Sequence, residues 1–260
     1  MYANPVYEEE IDGFTFIEYE RFAPEALVLA LPDVGLVGAI TGLHIVRELR
    51  LRDVVGIDSY NMLPPVTVII DGVPKHPVRI YSTEDGKLGV LLTDVPFTPP
   101  AIIAFGVAVV RYARSRGVKT LVSVTGIGNP ARFEIEKPNL YVVANRPELE
   151  KEVIEKTGAK KIPAGILVGP YSIVLKEASR RGLDNVVLLA DAFVDIPDPG
   201  AAIVTVEALS KLYGIKVDTK KLEDEADKIK MRLRELMRET RNLMAKMGKS
   251  MEYRPTLMYT

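Results

Sequence analysis

The chain has 260 residues, of which 47% are hydrophobic and 27% charged, and its formal net charge is -1. These values are typical of a folded protein rather than a disordered one, and the balanced charge provides no general basic surface for nucleic acid. The absence of cysteine excludes disulfides, thiolate nucleophiles and cysteine metal ligands. Glutamine and tryptophan are also absent while Glu, Lys and Arg are plentiful, which indicates a thermophile.

The N-terminal sequence MYANPVYEEEIDGF lacks the basic and then apolar regions of a signal peptide. No stretch of the sequence is long enough and free enough of charge and proline to predict a membrane span. We therefore expect a cytoplasmic protein that has no membrane partner and no nucleic-acid partner.

Short β-branched runs alternate with helical patterns, which is typical of a mainly parallel sheet covered by helices. The strand EALVLALP (25–32), a helix over 38–50 and a strand over 54–60 are interpreted as a βαβ unit. Next come VTVIIDG, PVRIYST and KLGVLLTD, and the last two predict an antiparallel hairpin with its turn at Asp85 and Gly86. The predicted fold class is α/β, with a mixed, mainly parallel sheet and helices on both faces.

The alternation continues through the second half of the core. Two prolines, Pro99 and Pro100, suit the first turn of a helix that runs to about Arg116. The strands KTLVSVTG, NLYVVANR, AGILVG and VVLLADAF then alternate with helices over Pro147–Thr157, YSIVLKEASRRG and DPGAAIVTVEALSKLYG. This pattern ends near Gly214, and we assign residues 1–215 to one α/β core domain.

A heptad-like seam follows the core and predicts a long C-terminal helix over residues 216–248, with a tail at 249–260. Such a seam suits either a helix packed on its own domain or a contact between subunits. We favour the second interpretation, in which the seam joins copies of the chain. The residues assigned to oligomerisation are Leu222, Ile229, Leu233, Leu236, Leu243 and Met247.

Two glycine loops follow predicted strands, where α/β proteins commonly bind ligands. The first, LPDVGLVGAI, contains Gly35 and Gly38, and the second, TGIGNPARFE, contains Gly126, Gly128 and Arg132. Neither loop matches a dinucleotide or P-loop pattern. They form either a small-molecule site, with Arg132 and Glu134 as its polar groups, or tight turns that allow close packing.

No group of residues predicts catalysis or a metal site. The aspartates of ADAFVDIPDPGAA lack the spacing of a calcium loop, and Asp198 before Pro199 is better explained as a helix N-cap. The two histidines, His44 and His76, lack neighbours for a catalytic triad and are expected to be hydrogen-bonded or solvated. We therefore expect no enzyme activity, no metal and no cofactor.

Three sets of residues together resemble the proteasome assembly chaperone family, in particular archaeal relatives of its second eukaryotic member. The resemblance covers roughly residues 20–215. It implies an α/β domain of phosphorylase-like architecture that binds proteins, with homo-oligomers expected. The residues that carry it are Leu31-Pro32 with Gly35, Val37 and Gly38, then Gly126 and Gly128, and finally Pro197-Asp198-Pro199 with Ala201-Ala202.

The resemblance also gives a meaning to the last residues of the sequence, Met258, Tyr259 and Thr260. Proteasome activators and chaperones of this kind end with a hydrophobic residue, a tyrosine and any residue. A terminal carboxylate can pair with a lysine in a pocket while the tyrosine ring is buried. Several tails on one oligomer would gain avidity on a ring with repeated pockets. The expected partners are thus the proteasome core particle α-subunits, and the chain itself.

Two other hypotheses remain open. One is a nucleoside- or phosphate-ligand enzyme of phosphorylase-like fold that uses the two glycine loops. The other is an oligomeric scaffold whose tail, made apolar by Leu257 and Met258, stays buried.

Overall fold

The computed structural model of the chain describes residues 4–224 and 226–247. Within these residues ten strands form one sheet and two more form a small separate sheet. The strands are β1 (Tyr7–Ile11), β2 (Phe14–Glu18), β3 (Ala26–Ala30), β4 (Arg52–Asp58), β5 (Val68–Ile70), β6 (Val73–Lys75), β7 (Val78–Ser82), β8 (Leu88–Thr93), β9 (Thr120–Gly128), β10 (Leu140–Ala144), β11 (Lys160–Lys161) and β12 (Asp184–Ala192).

The described helices cover both faces of the large sheet. They are α1 (Val37–Glu48), α2 (Pro99–Ser115), α3 (Pro147–Thr157), α4 (Pro170–Arg181), α5 (Pro199–Tyr213), α6 (Lys220–Asp224), α7 (Ala226–Arg232) and α8 (Arg234–Lys246). No helix among the described residues is long and apolar enough to cross a membrane.

The large sheet is mixed, as expected, with the order β1-β2-β4-β7-β8-β3-β9-β12-β10-β11. Its four central strands, β8, β3, β9 and β12, are parallel to one another. The expectation of a mainly parallel sheet is wrong, because β1, β2, β4, β7 and β8 pair antiparallel in succession and β12 pairs antiparallel with β10. Short hairpins join β1 to β2 and β7 to β8, whereas the antiparallel pairs β2–β4 and β4–β7 form between strands that are distant in the sequence.

The strands of the predicted βαβ unit are not neighbours in the sheet. Strands β3 and β4 flank α1 as expected, but β8 and β7 lie between them in the sheet. Because β4 is antiparallel to β7 and β7 is antiparallel to β8, β4 runs in the same direction as β3. The carboxyl end of β4 therefore lies at the same edge as those of the central strands.

The antiparallel hairpin of β7 and β8 is confirmed, with its turn one residue earlier than predicted. The Gly86 N–H donates to the Thr83 carbonyl at 2.9 Å, so Glu84 and Asp85 are the central residues and Gly86 takes a positive φ of 71°. Two further hairpins, β1–β2 and β5–β6, turn at Asp-Gly pairs with positive φ at both residues. The segment VTVIIDG does form a strand, but in the small sheet.

Alternate residues of the central strands contribute to two hydrophobic cores. In β3 all five residues are buried: Leu27 and Leu29 face α2 and α4, while Val28 faces α1 and α5. Burial on both faces explains why this strand reads as an uninterrupted apolar run. The predicted bounds of α2, α3 and α5 are confirmed to within a residue or two. The segment AGILVG is not a strand, and its glycines and Pro163 disfavour a regular ladder.

The C-terminal segment packs as consecutive helices. Between α7 and α8 only Leu233 leaves the helical assignment, yet its N–H donates to the Ile229 carbonyl at 3.0 Å and its carbonyl accepts from the Met237 N–H at 2.9 Å. The helical hydrogen bonding is thus continuous through the bend. Helix α8 contacts the turn after β3, which brings the C-terminal helices to the carboxyl edge of the sheet.

Candidate functional site

The loop after β3 is held closely against the ends of β9 and β12. Gly35 has a φ of 61°, and a Cβ on it would lie 2.9 Å from the Ala192 Cβ. A Cβ on Gly38 would lie 2.4 Å from the Val124 carbonyl oxygen. Such separations do not occur between real atoms, so this loop reaches the sheet only because these residues lack a side chain.

The second glycine pair lies at the same edge. A Cβ on Gly126 would be 2.4 Å from the Val34 carbonyl oxygen, and one on Gly128 would be 2.8 Å from the Val194 side chain. The structure therefore brings all four predicted glycines together at the carboxyl edge of the central strands. The atoms that lie against these glycines belong to the backbone and side chains of the protein itself. This agrees with the interpretation of the loops as tight turns that allow close packing.

Tyr171, at the start of α4, holds the start of the loop after β3 by a hydrogen bond. Its hydroxyl accepts a hydrogen bond of 2.8 Å from the Leu31 N–H, and the side chain is fully buried. Burial, together with the nearby Asp33 carboxylate, raises the pKa of Tyr171 well above its usual value. The tyrosine is thus a neutral structural group and not an acid or base near neutral pH.

Arg132 is committed to a buried ion pair with Asp198. Its Nε and Nη2 donate to the two carboxylate oxygens at 2.8 and 3.0 Å, and Nη1 donates to the Ile135 carbonyl at 2.7 Å. Side-chain exposures are 8% for Arg132 and 2% for Asp198. Because the fork already binds a carboxylate and a carbonyl, Arg132 braces the loop and does not point into open space.

Asp198 joins three segments at once. In addition to Arg132, its carboxylate accepts from the Ala201 N–H at 3.0 Å and from the Phe193 N–H at 3.1 Å. The first of these bonds caps α5, with Pro199 in the first turn, which confirms the predicted N-cap. The loop after β9, the loop after β12 and the start of α5 therefore form one braced unit.

The other aspartates of this region do not form a cation site. The buried Asp191 carboxylate accepts from the side-chain amides of Asn129 and Asn139 at 3.0 and 2.6 Å. Asp195 lies 3.6 Å from Arg241 of α8. Within residues 4–224 and 226–247, no cluster of three potential ligands is found.

The braced loops carry an exposed apolar surface, here called the apolar platform and defined as Phe133, Phe193, Val194 and Ile196. Phe133 is 82% exposed, Val194 46% and Ile196 40%. The rings of Phe133 and Phe193 lie 4.5 Å apart, and the Arg132 guanidinium lies 4.9 Å from the Phe193 ring. Sequence reasoning missed this surface. The signal was apolar residues inside the polar loops NPARFE and FVDIPDP.

Both histidines are hydrogen-bonded, as expected. His44 Nε2 lies 2.7 Å from the Asp218 carbonyl oxygen, which ties α1 to the segment before α6. His76 Nε2 lies 2.9 Å from the Tyr19 hydroxyl, and a Cβ on Gly56 would be 2.1 Å from the imidazole ring. The glycine in β4 thus leaves room for the imidazole ring close to the strand, just after the β5–β6 hairpin.

The predicted oligomerisation residues pack in part on their own chain. Leu222 is buried, while Ile229, Leu233 and Leu236 are half-buried against the core under α1 and α5. Leu243 and Met247 are half-buried against the core under α2 and α4. A cleft of about 250 Å³ remains between α1 and the seam, lined by Ile40, Leu43, His44, Arg47, Glu48, Lys221, Leu222, Ile229 and Leu233. Met258, Tyr259 and Thr260 lie outside the described residues.

Fold and site together define a class: a mixed α/β protein whose strand-end loops are closed by packing and present an apolar surface. The PAC2 family model matches residues 27–237. This chain therefore belongs to the PAC2 family, which confirms the resemblance seen in the sequence.

Solved structures and a curated relative agree with this assignment. The chain is similar to Pyrococcus furiosus PbaA, described as an archaeal homolog of proteasome-assembly chaperone, at 28% identity and a TM-score of 0.81, covering 88% of this chain and 98% of PbaA. An uncharacterised protein of Methanocaldococcus jannaschii is 27% identical over 92% of this chain and 97% of its own length. Pyrococcus furiosus PbaB, described as an archaeal proteasome activator, shares the fold at 20% identity and a TM-score of 0.71, over 87% of this chain and 99% of PbaB.

Proposed function

We propose that this protein is a non-enzymatic, homo-oligomeric PAC2 protein with a proteasome assembly chaperone-like role. The observation that carries the proposal is the apolar platform, which occupies the edge where α/β enzymes bind their substrates. An exposed apolar surface that is rigid before binding loses little entropy when a partner covers it. The description of PbaA as a homolog of proteasome-assembly chaperone supports a partner connected with the proteasome.

The same edge supports protein binding better than catalysis. Catalysis needs an acid, a base or a nucleophile with access to a substrate. Here the charged side chains under the platform, Arg132 and Asp198, are each nine-tenths or more buried and satisfy one another. A single open arginine would favour an anionic ligand, whereas a closed ion pair beneath phenylalanine rings favours an apolar partner surface.

The finer mechanism places Met258, Tyr259 and Thr260 in pockets of the core particle α-ring. These residues match the hydrophobic-tyrosine-X pattern, and the tyrosine ring would supply most of the buried apolar area. One tail of three residues binds weakly, so the mechanism requires several tails on one oligomer. The half-buried seam residues Ile229, Leu233 and Leu236 have surface left with which to join copies.

Co-sedimentation of the full chain with purified archaeal core particles tests the tail. Deleting Met258 to Thr260 should abolish co-sedimentation and leave the oligomer unchanged, because the deleted residues lie beyond the seam. A conservative Tyr259→Phe variant, which keeps the ring, should retain partial binding. If the deleted chain still co-sediments as the full chain does, the tail does not dock.

A thermal-shift screen against nucleosides, nucleotides and inorganic phosphate tests the enzyme hypothesis. We expect no saturable shift in the melting temperature, since protein atoms occupy the space beside the glycines of both loops. A saturable stabilisation by one of these compounds would contradict the assignment as a non-enzymatic binding protein.

A further inference from the structure

The cleft between α1 and the C-terminal helices, here called the seam cleft, combines an aliphatic lining with a few polar groups. Its volume is about 250 Å³. This combination is typical of small-molecule sites, where the apolar surface supplies affinity and the polar groups fix orientation. The aliphatic lining residues are Ile40, Leu43, Leu222, Ile229 and Leu233, and the polar ones are His44, Arg47, Glu48 and Lys221.

His44 contributes a buried ring nitrogen that has no partner. The residue is 8% exposed, and its Nε2 lies 2.7 Å from the Asp218 carbonyl oxygen. Because a carbonyl only accepts hydrogen bonds, Nε2 carries a proton and donates it. The other nitrogen, Nδ1, makes no hydrogen bond within residues 4–224 and 226–247, although buried polar groups normally have partners. In the neutral imidazole Nδ1 is an acceptor, so it suits a ligand that donates a hydrogen bond.

Arg47 gives the seam cleft an open positive charge. It follows His44 by one turn of α1, so the two side chains lie on the same side of the helix. The Lys221 ammonium is already bonded to both Glu48 carboxylate oxygens, at 2.8 and 3.1 Å. Arg47 is exposed, and no acidic group in the described part of the chain forms an ion pair with it. Unlike Arg132, whose fork is bonded to Asp198, Arg47 is therefore free to bind an anion.

We propose that the seam cleft binds a small 2-hydroxy carboxylate with an apolar side chain. The carboxylate pairs with the Arg47 guanidinium, the hydroxyl donates to His44 Nδ1, and the side chain packs on the aliphatic lining. A neutral hydroxyl suits this cleft better than an ammonium, because Arg47 and Lys221 are both cations. An apolar cavity of ~150 Å³ holds benzene, so about 250 Å³ has room for one ring and a short acid chain.

The site lies within a single chain, between the core and its C-terminal helices. His44 and Arg47 belong to α1, while Ile229 belongs to α7 and Leu233 directly follows it. A bound ligand would therefore contact both parts of the chain. The inference depends neither on tail docking nor on a homo-oligomer, so it can fail or succeed independently of the proposed function.

A series of related compounds tests which ligand groups matter, with 3-phenyllactate as the probe and isothermal titration calorimetry of the full chain as the measurement. We expect saturable binding at one site per chain. The analogue 3-phenylpropionate lacks the hydroxyl, 3-phenyllactamide lacks the charge and lactate lacks the ring. Each should bind about tenfold or more weakly than 3-phenyllactate, since each loses one of the three interactions.

Variants assign each ligand group to its residue. Arg47→Gln should weaken 3-phenyllactate about tenfold and leave 3-phenyllactamide unchanged. The matched control is Arg50→Gln, which removes the same charge from an exposed residue outside the cleft lining and should bind as the wild type does. His44→Gln keeps an amide that can donate to the Asp218 carbonyl but removes Nδ1. In this variant 3-phenyllactate and 3-phenylpropionate should bind equally.

Four results would overturn the ligand site. The first is no saturable binding of 3-phenyllactate, and the second is equal binding of the acid and its amide. The third is a loss in Arg50→Gln as large as the loss in Arg47→Gln, which would indicate a general charge effect. The fourth is binding that appears only when dilution dissociates an assembly, because a second copy of the chain would then be the occupant of the cleft.

Discussion

The apolar platform and the β5–β6 hairpin both expose apolar side chains, but the structure supports them very differently. The platform lies on loops joined by a buried ion pair, by a helix cap and by glycines packed so closely that an added Cβ would lie 2.4–2.9 Å from neighbouring atoms. The hairpin has three residue pairs of its own and is fixed at its ends. The difference shows that two surfaces with similar exposure can have very different support from the rest of the chain.

Breaking the brace should have the largest effect. Asp198→Ala leaves the Arg132 guanidinium buried without its partner and removes the α5 cap, so we expect a loss of about 3–5 kcal/mol in the free energy of unfolding. Chemical denaturation measures this loss. The control is Arg111→Ala, which removes an exposed pair with Asp12 and should change the free energy by ~0–1 kcal/mol. Equal losses of unfolding free energy in the two variants would mean that the buried Arg132–Asp198 pair contributes no more to stability than an exposed ion pair.

Adding one methyl group to the loop contacts should have the next largest effect. Gly126→Ala places a Cβ 2.4 Å from the Val34 carbonyl oxygen, and we expect a loss of about 1–3 kcal/mol because the loop must move. Gly72→Ala, in the turn of the β5–β6 hairpin, adds a Cβ with no other atom within 4 Å. Its only cost is the positive φ of 75°, which alanine rarely adopts. Thermal denaturation should therefore show a clearly smaller shift for Gly72→Ala.

Alkaline pH should weaken the core on which the platform rests. Burial, and then the neighbouring Glu18 carboxylate, raise the pKa of the Tyr112 phenol above its usual value, and burial raises that of Tyr171. A raised pKa in the folded state means that stability is complete below the unfolded value of about 10 and falls as the pH rises beyond it. Denaturation midpoints between pH 8 and 11 should show this fall, and Tyr112→Phe should reduce its slope. A flat profile would contradict the neutral buried phenols.

The smallest effect on stability is expected in the hairpin. Ile69→Asp replaces an exposed side chain on a surface with no core beneath it, so the free energy of unfolding should change by no more than ~0.5 kcal/mol when the chain is measured as a monomer. Denaturation at low protein concentration, where an assembly dissociates, checks this value. A loss comparable to that of Gly126→Ala would show that the hairpin is packed into the core and is supported as well as the platform is.

Local features of the sequence were enough for several elements. Prolines at first turns, the Asp198 cap and the β-branched runs predicted α2, α3, α5 and the central strands, since these depend on neighbouring residues. Strand order was not predictable in the same way. Nothing near β4 in sequence indicates that it pairs with β2 and β7, because that choice is made by distant partners and by the burial of whole faces.

For the candidate site, too, some features were predicted from the sequence and others became visible only in the structure. By itself the sequence determined that the glycines lie after strands, and its motifs determined the PAC2 resemblance. Only the tertiary structure decided that protein atoms fill the space around those glycines, that Arg132 is bound by Asp198, and that Phe133 packs against Phe193 while staying exposed. The physical reason is that the burial of a loop residue depends on segments distant in the sequence: Arg132 pairs with Asp198, 66 residues away, and Phe133 packs on Phe193, so a local sequence pattern cannot predict their exposure.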